Sequence, residues 1–443
     1  MFRDTSAFHD WFADRGRENA YRVTRTPLDR LDGWHFDTGT TNLVHRSGRF
    51  YSIEGLEVST DHREVETWTQ PIILQPEIGI LGILVKEFDG VPHCLMQAKM
   101  EPGNVNVLQL SPTVQATRSN YTRVHQGNAV PYLEYFVAPR RGRVVFDALQ
   151  SEQGSWFLNK RNRNMIVEVT EDVELRDDFC WLTFEQLGEL LREDNLVNMD
   201  SRTVLSGLPF LDRPGGAEFG GPAAHHTEEL LSWFTEARSR YRLDRRTLPL
   251  AQVRGWVRDD ELIRHESGRY FEVVGVDVQA SNREVTSWSQ PMIKPSDRGV
   301  IAFLARWIDG TFHVLVQART EAGTSDVVEM SPTVNCIPSN YRGSPVSQRP
   351  RYLDQVLMAP ASKVLLDVVH SEEGGRFYHA ENRYLVVEVD EDFPVEVPAD
   401  FVWMTPEQLV GFVRYGNYVN VAARCLLTCM NVGRRVPERA LLA

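Results

Sequence analysis

The chain has 443 residues, of which 42% are hydrophobic and 25% are charged, and its formal net charge is −13. This length predicts two or three domains, and the composition is that of an ordinary globular protein, which excludes extensive disorder. An acidic chain without long Lys or Arg runs lacks the positive surface that nucleic acids and anionic membranes require, so we expect neither partner. A nucleotide diphosphate can still bind to an acidic chain, because a few local arginines can hold it.

The cysteines and the N-terminal segment predict the cellular compartment. Five cysteines are spread along the chain, which is typical of a protein in a reducing compartment rather than of a disulfide scaffold. The first residues lack the apolar stretch of a secretion signal, and no segment approaches the roughly 20 apolar residues of a membrane span. We therefore expect a cytoplasmic enzyme of bacterial type.

The hydrophobic pattern predicts helices and strands in a mixed order. In chain order, we expect a helix at 8–19, strands at 50–58, 79–86, 93–99 and 165–169, a helix at 183–191 and another at 228–241. The helices carry apolar residues three and four positions apart, whereas the strand at 50–58 alternates and the one at 79–86 is apolar throughout. Asp89-Gly90 predicts a hairpin turn, and Thr183 predicts a helix N-cap.

A long internal repeat is the most informative feature of the sequence. The segment HRSGRF at 45–50 returns as HESGRY at 265–270, and REVETWTQP at 63–71 returns as REVTSWSQP at 283–291, each 220 positions later. The spacing is conserved over more than a hundred residues, so each half should fold as one copy of the same unit. We predict a first domain at 1–212, a Gly/Pro-rich linker at 213–226 and a second domain at 227–443.

The order of elements predicts an α/β (α+β) fold whose two tandem domains are similar to Nudix hydrolases. In each copy a hairpin, a Pro-containing loop, further strands and a closing helix follow one another. The Nudix catalytic signature, Gly-x5-Glu-x7-Arg-Glu-x2-Glu-Glu-x-Gly, is absent from both copies. Without that carboxylate cluster, the sequence gives no reason to expect the divalent metals that it binds.

The paired motifs resemble those of the nucleotide-hexose 2,3-dehydratases. They are REVxxWxQP, SPTV followed by SNY at 119 and 339, and the segments QSEQGSWF at 150–157 and HSEEGGRF at 370–377. The resemblance covers nearly the whole chain. It implies a homodimer that acts on a dTDP-linked 4-keto-6-deoxyhexose, with a 3,4-diketo-2,6-dideoxyhexose as the product that a downstream 3-ketoreductase consumes.

The implied reaction requires neither a cofactor nor a metal. The C4 ketone acidifies the C3 proton, a base removes that proton, and the resulting enolate expels the C2 hydroxyl. The enzyme must supply a base, hydrogen-bond donors for the C4 oxygen and an acid for the leaving group. In agreement, the sequence contains no GxGxxG at a strand-to-helix turn and no His/Cys cluster with metal-ligand spacing.

Acidic and basic side chains in the repeated motifs are the candidate catalytic residues. Glu152 and Glu372 follow apolar strands, where each could be the base, contact the ribose or be a solvated loop carboxylate. Differences between the copies matter because duplicated enzymes can keep one working site. The full set of candidate catalytic residues is Glu152, Glu372, His370, Tyr341 and Lys99. Which copy works, and which group is acid or base, stays open at this point.

Candidate substrate-binding residues lie in the same motifs. Tryptophans could stack on thymine or anchor the core, loop hydroxyls and amides could contact the ligand, and arginines could hold phosphate or pair with neighbouring carboxylates. The set comprises Arg63, Trp68, Ser111, Thr113, Asn120, Tyr121, Gln150, Ser151, Gly154, Arg163, Arg283, Trp288, Ser331, Thr333, Asn340, Ser371, Gly374, Arg376, Tyr378, Asn382 and Arg383.

Two other functions are compatible with the same ligand. A Nudix-type hydrolase would cleave the diphosphate of a nucleotide sugar but requires the missing carboxylate cluster. A non-catalytic nucleotide-sugar-binding protein would bind the keto sugar without turnover.

Overall fold

A computed structural model describes residues 2–62, 65–117, 130–139, 141–208, 222–281 and 285–432. It confirms a mixed α/β chain in which strands predominate and the elements of the two halves follow one another in the same order. Within the described ranges, no helix is both long and apolar enough to cross a bilayer.

The first half contains short helices at each end and strands between them. Its elements are α1 (Thr5–Glu18), β1 (Tyr21–Thr26), β2 (Trp34–Phe36), β3 (Leu43–His45), β4 (Ser52–Thr60), β5 (Thr67–Leu74), β6 (Gly79–Phe88), β7 (Val91–Met100), β8 (Leu108–Ser111), β9 (Val114–Ala116), β10 (Arg143–Ser151), β11 (Phe157–Leu158), β12 (Arg161–Glu168), β13 (Phe179–Thr183), α2 (Phe184–Leu190) and α3 (Met199–Leu205).

Among the described residues, the second half repeats this series with a further short helix, α5 (Leu353–Leu357), and without a counterpart of β11. Its elements are α4 (Thr227–Arg240), β14 (Leu243–Leu248), β15 (Trp256–Arg258), β16 (Leu262–His265), β17 (Phe271–Ala280), β18 (Ser287–Pro295), β19 (Gly299–Ile308), β20 (Thr311–Arg319), β21 (Glu329–Pro332), β22 (Val334–Cys336), α5 (Leu353–Leu357), β23 (Val364–Ser371), β24 (Glu381–Glu388), β25 (Phe401–Met404), α6 (Pro406–Val413) and α7 (Val421–Asn431).

Local sequence signals explain where several elements begin and turn. Asp89 and Gly90 both have positive φ, 50° and 81°, as the favoured two-residue hairpin turn requires, and they join β6 to β7. Thr183 caps α2 in a reciprocal capping box, because its hydroxyl accepts from the Gln186 amide at 3.1 Å and the Gln186 side chain accepts from the Thr183 amide at 3.0 Å. The predicted hairpin and helix cap are therefore confirmed.

Each half builds one seven-stranded mixed sheet around the hairpin. In the first half the strand order is β10-β12-β6-β7-β13, with β8 on β7 and β9 on β6, and the second half has the equivalent arrangement. The pairs β6–β12 and β19–β24 are parallel, which places Asn162 opposite Gly79 and Asn382 opposite Gly299. The strands that carry the QSE and HSE motifs are thus edge strands, β10 and β23, of these two sheets.

The two halves exchange their first strands. Strand β1 pairs antiparallel with β17, from Tyr21 opposite Ala280 to Thr26 opposite Gly275, and β14 pairs in the same way with β4. Each half thus has a second, smaller sheet, built on β2–β5 in the first half and on β15–β18 in the second, and each is completed by a strand of the other half. Each half repeats the unit in sequence, but neither half completes its own smaller sheet.

The core continues across the junction between the halves. One apolar cluster contains residues of both halves, among them Phe8, Leu205, Phe234 and Leu427. Helices α3 and α7 lie against each other at this junction, where Arg424 Nε donates to Thr203 Oγ1 at 2.8 Å and Thr428 Oγ1 donates to the Arg202 carbonyl at 2.6 Å. These buried arginines fix the strand ends from which the candidate site begins.

Candidate functional site between the halves

The loops that follow β10 and β23 cross from one half to the other. The Gly154 carbonyl accepts from the Gly323 amide at 2.6 Å, and the Gly374 carbonyl accepts from the Gly103 amide at 2.8 Å. A Cβ on Gly323 would lie 1.7 Å from the Phe157 carbonyl oxygen, so only glycine allows this approach. Gly154 and Gly374, expected to bind substrate, are used in these backbone contacts.

Glu372 is at the centre of a hydrogen-bond network that both halves supply. Its Oε1 accepts from Asn382 Nδ2 at 2.5 Å and from the Tyr384 hydroxyl at 2.8 Å. Its Oε2 accepts from Gln153 Nε2 of the first half at 2.5 Å. Glu372 is 4% exposed, and three donors orient its carboxylate. We name Arg319, Glu321, Glu372, Asn382 and Gln153 the second-half centre.

A cavity of about 810 Å³ opens onto the second-half centre. Its polar lining includes Glu372, Asn382, Arg319, Glu321, Asn335 and Asn340. Its aromatic lining includes Trp68, Trp156, Trp256, Tyr270, Phe271 and Tyr341. Both halves contribute to these walls. A cavity with an aromatic side and a few convergent polar groups is suited to an organic ligand such as a nucleotide sugar.

The aromatic wall is held in place by side-chain hydrogen bonds. Trp68 Nε1 donates to Gln70 Oε1 at 2.8 Å, and Gln70 Nε2 donates to the Ser155 carbonyl at 2.9 Å, so β5 is joined to the crossing loop. Trp256 Nε1 of the second half donates to the Thr69 carbonyl at 3.1 Å. The two half-buried tryptophans are therefore held in the wall of the cavity.

Tyr270 has a left-handed backbone at the mouth of the same cavity. Its φ is 70°, its amide donates to Asn340 Oδ1 at 2.9 Å, and its carbonyl accepts from the Ser296 amide at 3.0 Å. A tyrosine with positive φ is strained and is maintained only where its surroundings fix it, a condition that recurs at ligand sites. The expected substrate residue Asn340 thus lies at the cavity and also positions Tyr270.

An ion pair forms the floor of the second-half centre. Arg319 Nε lies 3.3 Å from Glu321 Oε1, and the two side chains are 12% and 8% exposed. A guanidinium carries five N–H donors, so Arg319 retains donors for an oxygen of a ligand. The expected catalytic Tyr341 and the expected binding residue Asn382 line this cavity too.

The equivalent side chains of the first half form a centre with more titratable groups. Lys99 Nζ lies 3.4 Å from Glu101 Oε1, and Asn162 Nδ2 donates to Glu152 Oε1 at 2.7 Å. Glu373 enters from the second half next to Glu101, since a Cβ on Gly374 would lie 2.9 Å from Glu101 Cβ. We name Lys99, Glu101, Glu152 and Glu373 the first-half centre.

Burial dominates the electrostatics of the first-half centre. It raises the pKa of Glu152, and it raises the pKa of Glu373 to about 7, with Glu101 and Glu152 as further negative neighbours. Burial also raises the pKa of Asp200 on α3 well above its usual range, and Glu152 and Glu373 add to that effect. Burial and mutual repulsion therefore oppose the ionisation of Glu152, Glu373 and Asp200 together.

Several expected site residues have structural roles instead. The Thr113 hydroxyl donates to the Leu95 carbonyl and accepts from the Leu84 amide at 2.9 Å, so it is consumed between β6 and β7, and Thr333 repeats these contacts. Ser111 and Ser331 accept from the N-cap residues Asn198 and Asn420 at 2.9 and 3.1 Å. All four hydroxyls are buried, and those of Ser111 and Ser331 join the sheets to α3 and α7.

The residues at the ends of β10 and β23 also fix the junction. Gln150 Nε2 donates to the Val413 carbonyl at 2.6 Å, and His370 Nε2 lies 3.0 Å from the Leu191 carbonyl. Burial holds the pKa of His370 well below its usual range, so this imidazole is neutral and enclosed and does not suit the expected catalytic role. Ser151 and Ser371 present their carbonyls to Arg424 and Arg202.

The expected phosphate-binding arginines are paired or stacked within the protein. Arg163 and Arg383 each form a bidentate ion pair across the sheet, with Asp147 and Asp367 at 2.5–2.7 Å, which was the alternative. Arg376 lies 4.5 Å from the centre of the Tyr51 ring.

The remaining expected site residues either pack against other aromatic side chains or lie outside the described residues. Tyr378 is stacked on His379 at 4.1 Å. Trp288 repeats the Trp68 contact by donating to Gln290 at 2.8 Å, but it packs edge-on against Tyr21 and is not part of the cavity lining. Arg63, Asn120, Tyr121 and Arg283 lie outside the described residues.

Some residues of the two centres are not among the candidates expected from the sequence, although the repeat points to them. Glu101 and Glu321 are 220 positions apart and each precedes a glycine by two positions, so the repeat itself pointed to them. Gln153 and Glu373 differ between otherwise matching motifs, which marks them as a point of divergence. Tyr270 and Trp256 carried no such signal, because their importance depends on which elements of the two halves meet. Among the described residues, no group of three or more His, Cys, Asp or Glu side chains could hold a metal ion.

Comparison with known proteins agrees with the duplicated architecture. A family model described as NDP-hexose 2,3-dehydratase matches residues 5–208 and again residues 227–430. The chain is 59% identical over 443 residues to a dTDP-4-dehydro-6-deoxy-alpha-D-glucopyranose 2,3-dehydratase of Streptomyces violaceoruber, covering 98% of both chains. Enzymes with the same name from Saccharopolyspora spinosa and Amycolatopsis orientalis are 52% and 53% identical, with coverage of 96% and 97% of this chain and of 91% and 90% of theirs.

Proposed function

The chain belongs to the NDP-hexose 2,3-dehydratase family, and we propose that it dehydrates a dTDP-linked 4-keto-6-deoxyhexose, dTDP-4-keto-6-deoxy-D-glucose, at C2 and C3. The product is the 3,4-diketo-2,6-dideoxyhexose of deoxysugar biosynthesis. One observation carries this proposal: an oriented carboxylate, Glu372, faces a cavity of about 810 Å³ with aromatic and polar walls. The names of relatives at 52–59% identity support the choice of substrate.

The proposed reaction is an elimination that the substrate's own ketone makes possible. A carboxylate removes the C3 proton, and the electron pair of that bond moves towards the C4 oxygen to give an enolate. The enolate re-forms the ketone and expels the C2 hydroxyl, which leaves as water with a proton from a general acid. The remaining enol transfers its hydroxyl proton to C2 and becomes the 3-ketone, so the substrate loses one water in total.

Glu372 is the proposed base, because it is the oriented carboxylate of the cavity. Arg319 and Asn335 are the proposed donors to the C4 oxygen, where their N–H groups would stabilise the developing negative charge. Tyr341 is the proposed acid for the leaving hydroxyl, since its phenol lines the same cavity.

The aromatic wall is the proposed seat of the nucleotide. Trp68, Trp156 and Trp256 line the cavity, and a pyrimidine stacked on an aromatic side chain gains roughly 1–3 kcal/mol. Tyr270 and Asn340 close the mouth of the cavity, where the diphosphate would leave the hexose site. A single substrate molecule would thus contact both halves.

Further properties belong to the same proposal. Metal independence is supported by the chemistry, since the ketone itself accepts the electron pair. A homodimer, a cytoplasmic location, a Nudix-like ancestry of each half and a downstream 3-ketoreductase are implied by the sequence resemblance. Light scattering of the purified chain would test the dimer.

Mass spectrometry tests the reaction directly. The purified chain, dialysed against a chelator, is incubated with dTDP-4-keto-6-deoxyglucose, and the product is reduced at once to trap it. We expect the hexose to lose the mass of one water before the reduction, which then adds two hydrogens for each ketone that is reduced. The matched control is dTDP-glucose, which lacks the ketone and should be unchanged. An unaltered keto sugar would overturn the proposal, and cleavage of the diphosphate would identify a hydrolase instead.

A further inference from the structure

The two centres differ in the residue that each receives from the other half. In the second-half centre this residue is Gln153, whose amide donates to Glu372 Oε2 at 2.5 Å. In the first-half centre it is Glu373, which brings a second carboxyl towards Glu152. The loop after β10 therefore supplies a hydrogen-bond donor to the second-half centre. The equivalent loop after β23 supplies a carboxyl group to the first-half centre.

We propose that Gln153 is a positioning residue that orients the Glu372 carboxylate as the base, and that the first-half centre, which receives Glu373 at the equivalent place, does not abstract the proton. This inference rests on the proposed function. It assigns different roles to two glutamates that the repeat makes equivalent, Glu152 and Glu372.

The other donors to the two glutamates differ in the same direction. Glu372 receives hydrogen bonds from Asn382, Tyr384 and Gln153. Glu152 receives one from Asn162, whereas Asn164, at the position of Tyr384, donates to Thr203 Oγ1 at 3.1 Å. Within the described part of the chain, Glu152 Oε2 is buried without a hydrogen-bond partner. Three donors fix both oxygens of Glu372, so Glu372 is the more firmly oriented of the two glutamates.

Several charged and titratable groups surround Glu372. Among its neighbours, Gln153 is the one whose substitution tests the inference most directly. Arg202 on α3 faces Glu372 as a positive charge. Cys425 on α7 and Tyr384 on β24 stay protonated at neutral pH, because burial raises the pKa of Cys425 to about 12 and that of Tyr384 well above its usual range. Other charged groups on this side, among the described residues, include Glu152 across the junction and the cavity residues Arg319, Glu321 and Glu381.

Reciprocal exchange of the crossing residues tests the inference. Dehydration of dTDP-4-keto-6-deoxyglucose is measured for the intact chain, Gln153→Glu and the matched control Glu373→Gln, from about pH 5 to about pH 9, so that the acid limb of kcat/KM is defined. A second carboxyl beside Glu372 opposes its ionisation. We expect the acid limb of Gln153→Glu to move upward by about one pH unit or more, because carboxyls that share a site interact at least that strongly.

The remaining parameters separate positioning from a structural effect. Activity of Gln153→Glu should recover at high pH with KM little changed, and Glu373→Gln should keep the profile of the intact chain. If Gln153→Glu does not fold, Gln153→Met supplies the same test, since loss of the donor alone should move the limb upward by less.

Two results would overturn the inference. One is an unmoved acid limb in the folded Gln153 variants, and the other is a moved limb in Glu373→Gln, which would assign proton abstraction to the first-half centre. Either result is distinct from failure of the proposed function, because in that case the intact chain itself would not dehydrate the keto sugar.

Discussion

The Arg424 guanidinium of the second half donates to the Ser151 carbonyl of the first half at 2.6 Å, directly before Glu152. Arg202 makes the reciprocal bond to Ser371, directly before Glu372. Each buried arginine thus fixes the strand end from which the opposite half's glutamate projects. The site is therefore assembled by the junction between the halves rather than by either half alone.

Removal of Arg202 should destabilise the protein far more than removal of a surface arginine. Arg202 is fully buried, and its loss would leave the Ser371 and Val197 carbonyls without their donor. We expect Arg202→Met to lower the free energy of unfolding by about 3 kcal/mol, since charged hydrogen bonds contribute about 1.5–3 kcal/mol and a buried acceptor is left unsatisfied. Urea unfolding measures this change.

The control for this prediction is Arg163→Ala. Its ion pair with Asp147 is partly exposed, and such pairs contribute about 1 kcal/mol or less. Equal losses for the two variants would show that the buried arginine does not hold the junction.

Trp68 should contribute to substrate binding, whereas its repeat counterpart should not. Trp68 lines the cavity, and Trp288 packs against Tyr21 outside it. We expect Trp68→Ala to raise KM about 10-fold to 100-fold, the equivalent of a stacking free energy of about 1–3 kcal/mol, with a smaller change in kcat. Steady-state kinetics of both variants measure the difference. An increase in KM for Trp288→Ala of the same size would contradict the placement of the nucleotide.

The repeat predicted the paired sheets and the position of Glu372, but not the site's composition. β1 is the first strand of the first copy, and β14 is the first strand of the second copy. The sequence is therefore equally compatible with a first strand that pairs within its own half and with one that pairs with the other half. Gln153 and Trp256 contact Glu372 and Thr69 of the other half, and the sequence pattern does not predict contacts between the halves. Nearby prolines favour a loop at Thr113 and Thr333, and loop hydroxyls are expected to contact the ligand. In the structure these hydroxyls lie between paired strands and satisfy buried backbone groups.

The buried carboxyl of Glu329 should make stability depend on pH. Burial raises its pKa to about 8, and the first half has Gln109 at the equivalent position. A carboxyl whose pKa is higher in the folded than in the unfolded state binds more protons when folded, so stability falls as the pH rises from about 4.5 to about 8. We expect Glu329→Gln to be more stable than the intact chain at pH 8 by a few kcal/mol, with a smaller gain at pH 5.

Thermal unfolding of the intact chain and of Glu329→Gln at the two pH values measures this effect. The fall in stability between pH 5 and pH 8 should be smaller in the variant. An equal fall in both proteins would show that Glu329 is not the group that binds the proton. Glutamine at position 109 indicates that the amide fits the fold.

The central claim is that Glu372 removes the C3 proton, and the most direct measurement is the rate of C3 proton exchange with solvent deuterium during turnover. Glu372→Gln and Glu152→Gln replace equivalent carboxyls by isosteric amides, and mass spectrometry of the recovered keto sugar and its product follows both. We expect Glu372→Gln to reduce exchange and dehydration about 100-fold to 10,000-fold, as loss of a general base does, while Glu152→Gln retains both. Full exchange in Glu372→Gln, or its loss in Glu152→Gln alone, would contradict the account.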